Sequence, residues 1–221
     1  GINFHDGPLP DCAGLNTPAW AIINGQTAHG VSWHVIEGGV DEGDLLAQRT
    51  IEIAADETAF SLNSKCYAAG MESFAEVLSQ LETGLLERTA QDLSQRTYFA
   101  KDKRPAHMGL IDAAQSATDL SALVRGLDFG DYWNPLGTAK LGLTDGIYSF
   151  RRLEILPGTD VPAGEITAVE TDRVTIGTAT NAITLAGFSG LDGDGVDMAL
   201  HACVGDVLTS PAVTEFDARD E

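Results

Sequence analysis

Ile2-Asn3-Phe4-His5-Asp6-Gly7-Pro8-Leu9-Pro10, followed by Thr17-Pro18-Ala19-Trp20-Ala21-Ile22-Ile23-Asn24, carries the decision on fold. Ile2 to His5 alternates apolar and polar residues and stops at a Gly-Pro turn, so it reads as a short strand. Thr17 to Asn24 reads as a helix, with Thr17 as N-cap and Pro18 in the first turn. Working outward, Val31 to Glu37 and Leu45 to Ile53 are β-branched, aromatic or alternating, hence strands. Asp56 to Leu81 predicts a long amphipathic helix. Phe60, Leu62, Tyr67, Met71, Phe74, Val77, Leu78 and Leu81 supply its apolar stripe. Strands alternating with helices predict an α/β layer with a mainly parallel sheet over residues 1–95.

Beyond residue 96 the texture changes. Arg96, Lys101, Lys103 and Arg104 cluster beside Pro105 and read as a linker or domain entrance. A helix is expected over Ala117 to Leu127. Short strands follow at Lys140–Leu143, Ile147–Ile155, Glu165–Val169, Arg173–Gly177, Ala182–Ala186 and Asp206–Thr209. Such closely turned short strands predict a small OB-like β-barrel within a second domain, residues 96–221.

The 221 residues include 33 Asp plus Glu against 13 Lys plus Arg, for a net charge of −20. That excess repels phosphate and argues against a broad nucleic-acid-binding face. Residues 96–221 alone hold 10 basic and 19 acidic side chains. Hydrophobic residues at 43% suit a globular chain rather than an acidic tail. No apolar run approaches the roughly 20 residues of a membrane span, and no signal-peptide pattern opens the chain. Cys12, Cys66 and Cys203 are odd in number and widely spaced, which predicts reduced thiols in a cytoplasmic protein, without disulfide or zinc site. The start at Gly1, without Met, suggests a fragment of a longer protein.

Asn3 and His5 share one face of their strand. Both sit at its C-terminal end, where open α/β sheets gather ligands. A carboxamide beside an imidazole suits acyl transfer, because the amide can stabilise an oxyanion and the ring can move a proton. An imidazole in such work wants a carboxylate partner. Asp41, in Glu37-Gly38-Gly39-Val40-Asp41-Glu42-Gly43-Asp44, is the candidate, and the glycines allow close backbone approach to a flat ligand.

Asn3-x-His5, Gly7-Pro8-Leu9-Pro10, Gly14-Leu15-Asn16, Trp20 to Gly25, Gly30-Val31-Ser32-Trp33-His34 and Asp41-Glu42-Gly43-Asp44 occur in that order. The series resembles the folate-dependent formyltransferase family, strongly over residues 1–95 and more weakly beyond. The resemblance implies the C-terminal part of a Rossmann-like catalytic domain whose N-terminal half is absent, then an OB-like domain. It implies that Asn3 holds the formyl oxygen, His5 handles protons and Asp41 sets the His5 charge. Val35, Ile36, Glu37, Gly38, Gly39, Val40 and Asp41 would grip the pterin ring. The implied co-substrate is 10-formyltetrahydrofolate, with no metal. Gly7 stands where the family's loop carries Ser. Arg125-Gly126-Leu127-Asp128-Phe129-Gly130 and Asn134-Pro135-Leu136-Gly137 are similar to synthetase-associated members, so the expected acceptor is an amine on a carrier protein. An amino-sugar nucleotide is the alternative; tRNA ranks low on charge. Hydrolysis of the same donor and a non-catalytic binding domain are the competing functions.

Other signals carry less. Asp192-Gly193-Asp194-Gly195-Val196-Asp197 lacks the Gly and Glu positions of a calcium loop and reads as an acidic turn. His34 reads as a strand residue at the site edge, His29 as a loop residue, and Trp20 and Trp33 as core.

Overall fold

The computed structural model describes residues 1–211. The chain divides into two units, Gly1–Lys103 and a second from Arg104 onward.

The first unit runs β1 (Ile2–His5), β2 (Ala13–Gly14), α1 (Thr17–Ile23), β3 (Ala28–Val35), β4 (Leu45–Glu52), α2 (Ala59–Thr83) and β5 (Tyr98–Phe99). Its main sheet has the order β1-β3-β4, and both pairings are antiparallel. The expected mainly parallel sheet is therefore corrected. Only the two-residue strands β2 and β5 pair in parallel. The connection from Val35 to Leu45 is shorter than the dozen or so residues a parallel crossover needs, so β3 and β4 must form a hairpin.

The register divides the sheet into two faces. Ile2 lies opposite Val35 and Phe4 opposite Trp33, while Asn3 lies opposite His34 and His5 opposite Ser32. The apolar set packs against α2, where Val31, Val35, Leu62, Cys66 and Val77 are buried. Fully burying a Leu or Val of this kind contributes roughly 1.5–3 kcal/mol. The buried face of α2 is partly built from small residues, Cys66, Gly70 and Ser73. A Cβ on Gly70 would lie 2.4 Å from the Phe4 ring. Trp33 Nε1–H donates to the Gly70 carbonyl at 3.2 Å and to Ser73 Oγ at 3.1 Å. Small side chains thus admit large aromatics from the sheet. Of the apolar stripe read from the sequence, Phe60, Tyr67, Met71, Leu78 and Leu81 are exposed, and the helix presents a narrower face.

Helix starts are set by local hydrogen bonds. Thr58 and Ser61 form a reciprocal capping box, so α2 begins at Ala59 rather than Asp56. Asn16, at φ +58°, precedes α1, and Thr17 is its first helical residue instead of its cap. The Thr17 hydroxyl donates to the Asp6 carbonyl. The basic stretch is tied down rather than a plain linker. Arg96 donates to the Val40 carbonyl and covers the Tyr98 ring, and Lys103 lies over Trp20 and Phe99.

The second unit holds α3 (Ala117–Gly126), capped by the Ser116 hydroxyl accepting from Asp119 N–H. Then come β6 (Lys140–Leu143), β7 (Gly146–Ser149), β8 (Arg152–Leu156), β9 (Ile166–Glu170), β10 (Arg173–Gly177) and β11 (Ala182–Ala186). Strands β8-β11-β10-β9 form one antiparallel sheet, and β6 and β7 form a separate hairpin. Among the described residues these sheets do not close, so the expected OB-like barrel is not found. The predicted strand Ile147–Ile155 is broken at Phe150 and Arg151, which sends β7 to β6 and β8 to β11. The expected strand Asp206–Thr209 supplies a single bridge, Val207 to Glu165.

Candidate functional site

The polar face of β1 and β3 lies opposite α2. Alternation alone places Asn3 and His5, with Ser32 and His34 across the pairing, on that face. The loop after His5 closes over it. Ser32 Oγ–H donates to the Gly7 carbonyl at 2.8 Å and accepts from Leu9 N–H at 3.0 Å. Gln48 Nε2–H donates to Ser32 Oγ and to the Leu9 carbonyl. The Gly7-Pro8-Leu9-Pro10 turn is therefore anchored to the sheet at both ends. Gly7 sits beneath the site ring: a Cβ there would lie 2.6 Å from His5 Nε2.

Asp41 arrives from the β3–β4 connection at φ +58°. The loop is held by Val35 N–H donating to the Asp44 carbonyl and by Gln91 Nε2–H donating to the carbonyls of Asp41 and Gly43. Gly43 is required sterically, because a Cβ there would lie 1.8 Å from the Val35 carbonyl oxygen. The loop thus delivers the Asp41 carboxylate to the imidazoles. Oδ2 lies 3.6 Å from His5 Nδ1 and accepts Gly14 N–H at 2.9 Å, while Oδ1 lies 3.4 Å from His34 Nε2. Both rings are buried.

Hydrogen bonds assign the ring protons. His5 Nε2–H donates to the Cys12 carbonyl at 2.7 Å. That bond leaves Nδ1, too far from Asp41 for a hydrogen bond, as the nitrogen able to exchange a proton. His34 Nδ1–H donates to the Val35 carbonyl at 2.9 Å, and its Nε2 accepts Asn3 Nδ2–H at 3.1 Å. An amide nitrogen has a second N–H, which Asn3 does not spend on His34. Burial acts to raise the Asp41 pKa, but the His34 ring, the Gly14 N–H and the His5 ring outweigh it, and the carboxyl is held below its ordinary value. Cys12, beside His5, is pushed up to about 12 by burial and by Asp11, so it stays a thiol at neutral pH.

The structure therefore brings Asn3, His5 and Asp41 together, with His34 as a fourth member. Strand alternation carried that signal: His34 has the parity of Ser32 and lies across from Asn3. His29 lies on β3, buried, with Nε2–H donating to the Asp6 carbonyl at 2.7 Å. The remaining residues read for ring binding, Val35 to Val40, are mixed. Val35 is in the core. The backbone N–H groups of Ile36, Glu37 and Gly39 are already donated, to Gly1, Val35 and Glu42, and the Val40 carbonyl accepts from Arg96. Ile36 and Val40 are 63% and 56% exposed, and Gly38, at φ +72°, turns the chain between them. Among the described residues no three or more His, Cys, Asp or Glu are grouped to hold a metal ion, and no helix is long and apolar enough to cross a membrane.

Known proteins similar to this chain include formyltransferases. Residues 1–78 match the family model described as "Formyl transferase". The methionyl-tRNA formyltransferase of Agathobacter rectalis is 31% identical over 159 residues, 72% of this chain and 49% of that protein. The methionyl-tRNA formyltransferase of Geobacter metallireducens is 32% identical over 184 residues, 83% of this chain and 56% of that protein. The chain thus spans about half the length of these curated relatives. Among solved structures, an N-formyltransferase from Helicobacter canadensis, in complex with folinic acid and dTDP-3-aminofucose, superposes with a TM-score of 0.67 at 17% identity. The match covers 85% of this chain and 66% of that one.

Proposed function

Because the chain belongs to the folate-dependent formyltransferase family, we propose that its first unit helps to move a formyl group from 10-formyltetrahydrofolate to a primary amine. One observation carries the reading. A single carboxylate, Asp41, lies beside two buried imidazoles, His5 and His34, and His34 is in turn bonded to the Asn3 carboxamide.

The donor supplies the one-carbon unit; the chain's own groups do the rest. Asn3 offers its second amide N–H to the formyl oxygen, where negative charge grows as the amine attacks. His5, fixed by Cys12 at Nε2, takes the amine proton at Nδ1 and returns it to the departing nitrogen. Asp41, kept ionised, stabilises His5 while it carries that proton. His34 locks the rotamer of Asn3 through its Nε2. Ile36 and Val40 cover a face of the folate ring.

The acceptor is a finer question. The curated relatives are methionyl-tRNA formyltransferases, which supports an aminoacyl-tRNA amine despite the acidic charge of the chain. The sugar-nucleotide complex of the structural neighbour supports an amino sugar. The carrier-protein amine rests on the resemblance of residues 125–137 alone. The test is turnover of 10-formyltetrahydrofolate by the intact protein against these three acceptors, with and without His5→Ala. Formylation that vanishes in the variant supports the reading. Formate release without acceptor indicates a hydrolase. Binding of a stable folate analogue with no turnover of any kind indicates a non-catalytic domain, and formylation unchanged in His5→Ala refutes the assignment of roles.

A further inference from the structure

The motif Arg125 to Gly137, unused by the site above, folds into one wall of a second cleft of about 750 Å³ lying wholly in the second unit. That volume is in the range of sites for small organic ligands. Leu127, Phe129 and Phe150 line it, and Tyr132 and Trp133 are 73% and 83% exposed. A neighbouring hollow shares Val124, Asp128, Arg151 and Arg152 with it and adds Arg125.

Three features single out this cleft. First, the wall is preorganised. Asn134 Nδ2–H donates to the carbonyls of Leu127 and Gly137 at 2.7 and 2.6 Å, and Asn134 Oδ1 accepts Leu136 N–H at 2.8 Å, stapling the segment across its ends. Asp128 is occupied locally, accepting Gly130 N–H at 2.9 Å. Second, two adjacent large aromatics stand in solvent on this stapled segment, where burial would have stabilised them. Third, the cleft is lined by two cations, Arg151 and Arg152, and two carboxylates, Asp128 and Asp131, in a unit where acids outnumber bases more than two to one. Between Arg104 and Pro211 there are six Lys and Arg residues against fourteen Asp and Glu. Half of those six, Arg125, Arg151 and Arg152, line the two hollows. Arg152 meets Asp172 at 3.6 Å, an exposed pair that a phosphate can replace.

We propose that this cleft binds a nucleoside diphosphate group, with the base stacked on Trp133 or Tyr132 and the phosphates held by Arg151 and Arg152. Aromatic faces accept any base, and guanidinium groups match phosphate geometry. The proposal does not rest on the formyl-transfer reading, since it concerns binding by the second unit alone.

Tryptophan fluorescence of the full chain tests it directly. Trp20 is buried and Trp33 half-buried, so Trp133 reports on added ligand. UDP and ADP are expected to quench emission saturably, with inorganic pyrophosphate at least tenfold weaker. Trp133→Phe, at an exposed position that leaves folding intact, should abolish the quench. Calorimetry should show UDP binding weakened at least tenfold in Arg151→Ala/Arg152→Ala. Three outcomes overturn the proposal: no saturable signal to millimolar nucleotide, equal binding of pyrophosphate and UDP, or affinity unmoved in the double-arginine variant. A single-stranded oligoribonucleotide that binds where UDP does not overturns it too, because the ligand would then be RNA.

Discussion

Replacing Gly43 by Ala tests how the loop aims Asp41. The added Cβ would stand 1.8 Å from the Val35 carbonyl oxygen, where contact normally begins near 3.4 Å. The obstruction is backbone, so no rotamer change relieves it, and the strands must part locally by about 1 Å or more. That movement strains the bond from Val35 N–H to the Asp44 carbonyl and the two donated by Gln91. Overpacking of this kind costs typically 1–3 kcal/mol, and each net hydrogen bond lost adds about 1 kcal/mol. A total of about 2–3 kcal/mol lowers the Tm of a unit this size by roughly 8–12 °C. Asp41 lies two residues away, so its spacings of 3.6 and 3.4 Å to the imidazoles open by a similar amount. Misplacement of about 1 Å can cost roughly 100-fold in rate. Urea and thermal unfolding give the first quantity and single-turnover formyl transfer the second. A variant that keeps both its Tm within 1–2 °C and its rate would refute the reasoning, since the loop would then not depend on a bare Cα at this point.

Other expectations follow from separate parts of the molecule. Gly70→Ala gains about 1 kcal/mol of helix propensity but drives a methyl to 2.4 Å from Phe4, so a net loss of about 1 kcal/mol is expected by urea titration. Asp41→Asn keeps an acceptor for Gly14 N–H yet removes the charge facing two imidazoles; turnover should fall at least 100-fold while circular dichroism is retained. Asp41 and Glu57 both titrate below their ordinary values when folded. Their stabilisation is complete above the usual carboxylate range and is lost as pH falls through their lowered folded pKa values. Burial lowers the His29 pKa. Below about pH 6.5 the unfolded chain therefore binds a proton that the folded one refuses, and stability falls with acidification. His29→Gln should flatten that part of the pH–stability curve.

Much of the first unit was legible because its signals are local. The Gly-Pro turn ends β1, Pro18 lies in the first turn of α1, and two-residue alternation puts Asn3 and His5 on one face. The antiparallel β3–β4 pairing is implicit in the short connection between Val35 and Leu45, but the β1–β3 pairing was not legible, because helix-strand alternation does not show which strands become neighbours. The helix stripe misled for a related reason. Periodicity marked the large apolar residues of α2, yet the packing surface needed small ones, Cys66, Gly70 and Ser73, to receive Phe4 and Trp33. His34 was visible as a strand residue near the site, but its link to both Asn3 and Asp41 required the cross-strand register and the loop return. In the second unit, Phe150 and Arg151 interrupt what reads as one strand, and that break decides the open arrangement.

The strict alternation along β1 and β3 ties chemistry to folding. A slip of a single position between the two strands would turn Trp33 and Val35 toward the ligand side and drive His34 into the oily layer beneath the long helix. No form misaligned by one position can keep a sound interior while losing its polar cluster, or the reverse. Proofreading of that alternation by hydrophobic packing is at the same time proofreading of the face that carries Asn3, His5, Ser32 and His34.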